Sequence, residues 1–237
     1  MFSFDKKSLY ILIGAMVLMN LLSGGRTIEG LIYSLPGVIV AMTFHEFAHA
    51  WAATKLGDDT PRLQGRLNLN PMSHIDPIGI ICLALLGFGW GKPVQINSRN
   101  FSGKYSLSKA EAIVSAAGPI MNFIIAFVFI VIYMIIGLTV STVTKGIIVI
   151  QTIISSIILI NISLGVFNLI PVYPLDGSKV LNHFLPYRAK EWIMNNQFLL
   201  TIILFVLVFS TDIIPYISLW ILTGMEYLVS MIIGIFI

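Results

Sequence analysis

Two long stretches without a charged side chain constrain this chain more than any other feature of its sequence. Residues 112–144 and 146–175 contain no Asp, Glu, Lys or Arg, and each is longer than the about 20 residues that a helix needs to cross a bilayer. Because similar stretches precede and follow them, we predict an all-α polytopic membrane protein. Its six transmembrane helices are expected at about residues 8–24, 29–54, 109–137, 146–170, 192–211 and 215–236.

The composition restricts the class of protein in the same direction. Of the 237 residues, 57% are hydrophobic and 11% are charged, and the mean hydropathy is +0.92. A soluble domain of this length cannot bury so much apolar surface, which excludes a soluble enzyme, a disordered protein and a secreted disulfide scaffold. The only cysteine, Cys82, excludes an internal disulfide and a cysteine-based zinc site. We expect the lipid bilayer, and no nucleic acid, as a partner.

The positions of the basic residues predict how the chain is oriented in its membrane. With the N-terminus in the cytosol, twelve of the fourteen Lys and Arg residues fall on the cytosolic side, and only Arg26 and Lys145 fall on the other side. This is a clear positive-inside bias. We therefore predict a cytosolic N-terminus.

The longest segment between predicted spans, residues 55–108, is too short for a separate regulatory domain. Leucines alternate with polar residues over 63–70, which predicts a short strand of a membrane-associated β-hairpin. Residues 78–90 are apolar but too few to cross a bilayer, which predicts a re-entrant or interfacial segment. We expect residues 1–237 to form one membrane domain.

The second predicted span contains the sequence His45-Glu46-Phe47-Ala48-His49. Histidines at i and i+4 point to one side of a helix and can share a metal ion, and the intervening glutamate suits a general base that activates water. Ionisable groups inside a membrane helix are costly, which favours a functional site. The alternative is a polar patch that faces another helix.

A hydrolytic zinc site normally has three protein ligands, and Asp176 is the best candidate for the third. It follows Pro171 and Pro174, which prevent a regular helix at the end of the fourth span. Irregular backbone at membrane depth is tolerated where it lines a wet cavity or is buried in protein. The alternative for this stretch is a plain loop with a turn.

Taken together, the H-E-x-x-H of the second span and the N-x-x-P-x-x-P-L-D-G at residues 168–177 resemble the signatures of the site-2 protease family of intramembrane zinc metalloproteases. The chain is similar to the compact prokaryotic branch, which has no PDZ or CBS domain. The resemblance implies a catalytic core of three helices within about residues 29–190. From their position after this core, we expect the helices within 192–237 to be gate-like. It departs from the family at Ser178 and Lys179, where members often carry a glycine and an arginine.

The resemblance also implies roles for single residues. His45, His49 and Asp176 would bind one Zn²⁺ per chain, and Glu46 would activate water. Asn168 is similar to a family asparagine near the scissile bond.

Asn122 lies in Gly118-Pro119-Ile120-Met121-Asn122, which is similar to a family G-P-x-x-N element. It has two interpretations. It holds substrate backbone or the oxyanion, or it makes a hydrogen bond between helices.

The function expected from the resemblance is hydrolysis of peptide bonds in or near the transmembrane segments of membrane proteins, in a prokaryotic plasma membrane, with the active site open to the cytosol. It leaves room for a separate regulatory membrane protein and leaves the oligomeric state open. The alternatives are a metal-ion transporter and a proteolytically inactive member that binds membrane segments.

Three further ionisable residues lie outside this set. Glu226, in the sixth span, is a candidate for lining the cavity, for gating or for a rival metal ligand. We expect His74 and Asp76 to have loop roles because prolines flank them.

Overall fold

A computed structural model describes residues 28–79 and 90–236. This part of the chain is mostly helical. Its helices are α1 (Ile28–Lys55), α2 (Thr60–Leu63), α3 (Pro71–His74), α4 (Leu107–Thr139), α5 (Lys145–Leu169), α6 (Asp176–Phe184), α7 (Tyr187–Asn195), α8 (Gln197–Ser210) and α9 (Ile213–Phe236), with a 3₁₀ turn at Ser98–Asn100.

Within the described ranges, four helices are long and apolar enough to cross a membrane, namely α1, α4, α5 and α9. They correspond to the second, third, fourth and sixth predicted spans. The first predicted span, 8–24, lies outside the described residues. Six spans are therefore not established, and the described chain has four, or five if the bent pair α7–α8 is one span.

The fifth predicted span, 192–211, is not a single straight helix. The axes of α7 and α8 differ by 71°, and α8 alone has only 14 residues, or about 21 Å of helix. At the bend, the side-chain amide of Asn196 donates to the carbonyl of Trp192 at 2.8 Å. An asparagine side chain that binds nearby backbone competes with the hydrogen bonds of a helix. Hydropathy measures only how apolar a stretch is, so it did not predict this break.

The predicted strand over 63–70 is wrong. Leu63 ends α2, and the chain then turns through Gly65, whose φ is +65°. The side chain of Asn68 accepts from Asn70 N and donates to Gly65 O, so local side-chain bonds replace a strand ladder. β structure in the described ranges is limited to an antiparallel bridge between Ile75 and Gly91. Most of the predicted re-entrant segment, 80–89, lies outside the described residues.

The core of the fold is formed by α1, α4 and α5, each of which contacts the other two. The close approach of these helices to one another depends on small residues. A Cβ on Gly37 of α1 would lie 2.9 Å from the carbonyl oxygen of Ser156 in α5, as expected where membrane helices pack backbone to backbone. Helix α6 contacts α4, and α9 contacts α5 and α4. Helices α4 and α5 thus pack against α1, whose C-terminal half carries the two histidines.

Candidate metal centre

The two histidines of α1 lie on the inner face of the bundle. His45 and His49 are 6% and 7% exposed, and their rings meet edge to face with centroids 4.6 Å apart. Their Nε2 atoms are 3.1 Å apart. One turn of helix therefore directs both nitrogen atoms to the same point, as the i, i+4 spacing predicts.

Asp176 reaches that point from α6. The chain leaves α5 at Leu169, passes irregularly through the two prolines and starts α6 at Asp176. Its Oδ2 atom lies 3.2 Å from His45 Nε2 and 3.1 Å from His49 Nε2. In the described part of the chain, these three side chains form the one group of three or more His, Cys, Asp or Glu residues close enough to hold a metal ion.

The Nδ1 atom of each histidine, the ring nitrogen that does not face Asp176, is hydrogen-bonded to an acceptor. His45 Nδ1 lies 2.7 Å from Asn122 Oδ1, and His49 Nδ1 lies 2.7 Å from the carbonyl oxygen of Val114. Because an acceptor requires the proton on Nδ1, the neutral rings present unprotonated Nε2 atoms to each other and to the carboxylate. Three Lewis bases this close repel one another unless a cation lies among them.

The chemistry of the three donor atoms supports the same conclusion. The carboxylate oxygen of Asp176 lies within hydrogen-bonding distance of two imidazole nitrogens that have no proton to donate to it. The site therefore combines an anionic oxygen with two imidazole nitrogens. This is a donor set that suits Zn²⁺ and leaves a coordination position for water or substrate.

Space for an ion is maintained by Gly118 of α4. A Cβ built at this position would lie 2.7 Å from His45 Cε1 and would also collide with His49 Nε2. Any side chain here would displace both rings. The sequence contains the signal for this role in its G-P-x-x-N element, but the contact itself was not predicted.

Glu46, the proposed general base, is half-buried beside the two histidines and is oriented by a loop. Its Oε2 accepts the backbone N–H of Val94 at 2.9 Å. Val94 belongs to the segment without regular secondary structure that follows the bridge residue Gly91. One carboxylate oxygen of Glu46 is thus fixed by the backbone.

The two asparagines implied by the resemblance lie in different environments. Asn168 is half-buried in the last turn of α5, and its amide donates to Leu164 O at 3.1 Å. Asn122 is fully buried, and its amide hydrogens donate to Ala41 O and Asn161 Oδ1, both at 3.0 Å. Because both amide hydrogens of Asn122 have acceptors inside the protein, its environment favours the interhelical interpretation over contact with substrate.

The other ionisable candidates lie apart from the metal centre. Glu226 is half-buried in α9 and is not in the metal-binding group of the described residues. His74 is fully buried, with Nε2 2.8 Å from Asn68 O, and Asp76 accepts from the backbone N–H of Ile78. Both have loop roles.

Sequence reasoning missed Asn161, which contacts Asn122. Its signal was an amide in a span that is otherwise nearly all apolar. It also missed Asp58, a buried acid just after α1 that connects this helix to the loop before α4.

Comparison with known proteins agrees with this geometry. The profile of Peptidase family M50 matches residues 135–211, which include Asp176. The chain is 38% identical over 191 residues to a Bacillus subtilis (strain 168) protein named "Putative zinc metalloprotease YwhC", covering 79% of this chain and 84% of that one. It is 27% identical to "Putative zinc metalloprotease Rip2" of Mycolicibacterium smegmatis, covering 73% of this chain and 66% of the relative. No solved structure matches.

These similarities define the class of protein. The chain belongs to peptidase family M50, the site-2 protease family. It is a membrane metalloprotease, and zinc is its metal.

Proposed function

We propose that this protein is an intramembrane zinc endopeptidase that cleaves membrane proteins in or near their transmembrane segments. The observation that carries the proposal is the convergence of three potential metal ligands. His45 and His49 come from the 28-residue apolar helix α1, Asp176 comes from the start of α6, and Glu46 lies beside the histidines. A site of this kind inside a helix bundle gives a membrane-embedded substrate access that a soluble substrate lacks.

In this proposal, His45, His49 and Asp176 hold the metal. Zinc bound there supplies a Lewis acid that polarises water and the substrate carbonyl. Glu46 accepts a proton from the attacking water through the oxygen that Val94 leaves free, and returns it to the leaving amine. Asn168 uses one amide hydrogen within α5, and its second is available to stabilise the developing oxyanion.

The substrate has to present an extended backbone. A transmembrane helix hides its carbonyls in its own hydrogen bonds, so it must unwind before water can attack. We propose a single protease domain over residues 1–237, with the catalytic core at 29–190 and gate-like helices at 192–237. α8 supports a gating role, since Thr201 Oγ1 lies 2.9 Å from Tyr173 O in the loop that leads to Asp176.

We also propose that the active site opens to the cytosol and that the membrane is a prokaryotic plasma membrane. The excess of Lys and Arg at the end of α1 that follows the histidines supports this orientation. The bacterial relatives support the choice of membrane.

The test uses the full chain in proteoliposomes with a membrane-spanning substrate. Glu46→Gln is expected to abolish cleavage and keep one zinc per chain, whereas Asp176→Asn is expected to lose most of the zinc. Glu29→Gln is the matched control, because Glu29 lies on the same helix, is exposed and, among the described residues, has a side-chain hydrogen bond only with Tyr33 four residues away. Cleavage that survives Glu46→Gln, or zinc flux across the vesicle without cleavage, would contradict the proposal.

A further inference from the structure

Both zinc-facing histidines need an acceptor at Nδ1, but they obtain it in different ways. His49 uses the backbone carbonyl of Val114, whose oxygen cannot exchange places with a donor. His45 uses the side-chain amide of Asn122, whose oxygen and nitrogen ends can exchange by a rotation of the amide. If Asn122 were reversed, its NH₂ would face His45 Nδ1. The proton of His45 would then move to Nε2, and that ring could not bind a metal.

The neighbours of Asn122 prevent this reversal. Its Nδ2 donates to Ala41 O in α1 and to Asn161 Oδ1 in α5, each at 3.0 Å. Asn122 and Asn161 are both 0% exposed, so water cannot compensate for a lost partner. The orientation of Asn122 therefore depends on two acceptors, the backbone carbonyl of Ala41 and the side-chain oxygen of Asn161.

Asn161 is itself oriented by the backbone. Its Nδ2 donates to Ile157 O, one turn back in α5, at 2.8 Å. A carbonyl oxygen can only accept, so the amide nitrogen of Asn161 must point to Ile157 and its oxygen must point to Asn122. The direction of every hydrogen bond from Ile157 to His45 is then determined by two backbone carbonyls, that of Ile157 in α5 and that of Ala41 in α1.

We infer that Asn161 is a positioning residue for the zinc site, because it orients the Asn122 amide and thereby keeps the proton of His45 on Nδ1 and the lone pair on Nε2. Outer partners of this kind orient metal-binding histidines and select their tautomer. The inference rests on the proposed zinc ligands but not on proteolysis. Its test therefore measures affinity for zinc.

The experiment measures the Kd of the metal-free full chain in detergent for Zn²⁺, by competition with a chromophoric chelator. Asn161→Leu is expected to raise the Kd by about 10-fold and Asn122→Leu by about 10- to 100-fold, the range typical of lost outer-shell partners. Because Asn161 acts through Asn122, the double variant should bind no more weakly than Asn122→Leu alone.

Two further variants separate positioning from general packing. Asn161→Asp in its protonated form keeps an oxygen that accepts from Asn122 and has a hydroxyl that donates to Ile157 O, so its Kd should stay close to that of the wild type. Ser163→Ala is the matched control. It removes another hydrogen bond between helices in α5, from Ser163 Oγ to Ser218 Oγ, that has no connection to the histidines. Its Kd should not change.

The outcomes are distinguishable. If the wild type binds zinc and Asn161→Leu matches Ser163→Ala, or if the effects of Asn161→Leu and Asn122→Leu multiply in the double variant, the inference is wrong. If the wild type binds no zinc, the ligand assignment fails first. Should Asn161→Leu not fold, Asn161→Ser carries the same test. Its short hydroxyl bonds back to its own helix and gives Asn122 no acceptor, so a Kd equal to that of the wild type would again contradict the inference.

Discussion

The two halves of the helix bundle are stabilised in different ways, although the same helices run through both. In the half that holds the metal centre, the buried residues of α4 include several small or polar ones, such as Ser115, Gly118 and Asn122. In the other half, the buried cluster is aliphatic and includes Ile130, Ile158 and Val229. The first half depends on directional hydrogen bonds, and the second depends on packing without direction.

This difference separates two properties that a mutation can change. A hydrogen bond fixes which atom of a side chain faces the ligand, so its loss should change metal affinity. An aliphatic contact has no donor or acceptor and so does not fix which atom faces the ligand. Within a bilayer its contribution comes mainly from close packing, because lipid is as apolar as the side chain. Changes in the aliphatic half should therefore lower stability and leave the metal centre intact.

The largest effect is expected at Gly118. In Gly118→Ala the new methyl would occupy the space of His45 Cε1 and His49 Nε2, so we expect zinc binding to be lost beyond the about 100-fold limit of outer-shell changes. Zinc content after dialysis measures this. Gly137→Ala is the control on the same helix, since a Cβ there meets nothing within 4 Å. Retention of zinc by Gly118→Ala would show that the site tolerates displacement of both rings.

A smaller effect, on stability and not on zinc binding, is expected at Ile130, which lies in the aliphatic half and is 1% exposed. Ile130→Ala leaves a cavity, which in soluble proteins costs about 2–5 kcal/mol. We expect the lower end of that range, because the unfolded reference state is also apolar.

Unfolding in a denaturing detergent, with zinc affinity measured in parallel, tests this prediction. Ile132→Ala, on the same helix but 38% exposed, is the control. A weaker zinc Kd in Ile130→Ala at unchanged stability would remove the distinction between the halves.

How much of this could be predicted from the sequence depends on the kind of interaction. The apolar spans α1, α4, α5 and α9 were predictable to within two residues at each end, because length and charge decide membrane insertion locally. The 63–70 segment was not, since its alternating pattern has the same appearance as a strand. Only the positive φ of Gly65 and the bonds of Asn68 show that it turns.

The metal-binding group could also be predicted. His45 and His49 are costly in a membrane and have the i, i+4 spacing of ligands, and Asp176 follows helix-breaking prolines within a motif that resembles a family signature. The residues around them could not. Asn161 and Asn122 are 39 positions apart, and which ends of their amides meet is decided by the backbone carbonyls of two helices. No local pattern contains that information.

The smallest effect is expected at the edge of the metal-binding half, where Asp58 joins the end of α1 to the loop before α4. Its buried carboxylate accepts from Asn97 N and from the Asn100 amide at 2.7 and 2.9 Å, and from Thr60 as well. Burial raises the pKa of Asp58, but these hydrogen bonds outweigh burial and lower it from 3.8. A lowered pKa means that the folded state binds the proton less tightly than the unfolded state.

The stability that ionised Asp58 contributes should accordingly be complete above pH 3.8, its ordinary pKa, and should disappear as the pH falls through the lowered value. We expect Asp58→Asn to lower the free energy of unfolding by about 1 kcal/mol near neutral pH, with the difference from wild type shrinking in acid. Thermal unfolding across pH measures it. Asp59→Asn is the control, because the Asp59–Arg62 pair is exposed and such pairs contribute little. A difference between wild type and Asp58→Asn that stays constant into strong acid would mean that the side chain contributes through shape and not through charge, as the aliphatic half does.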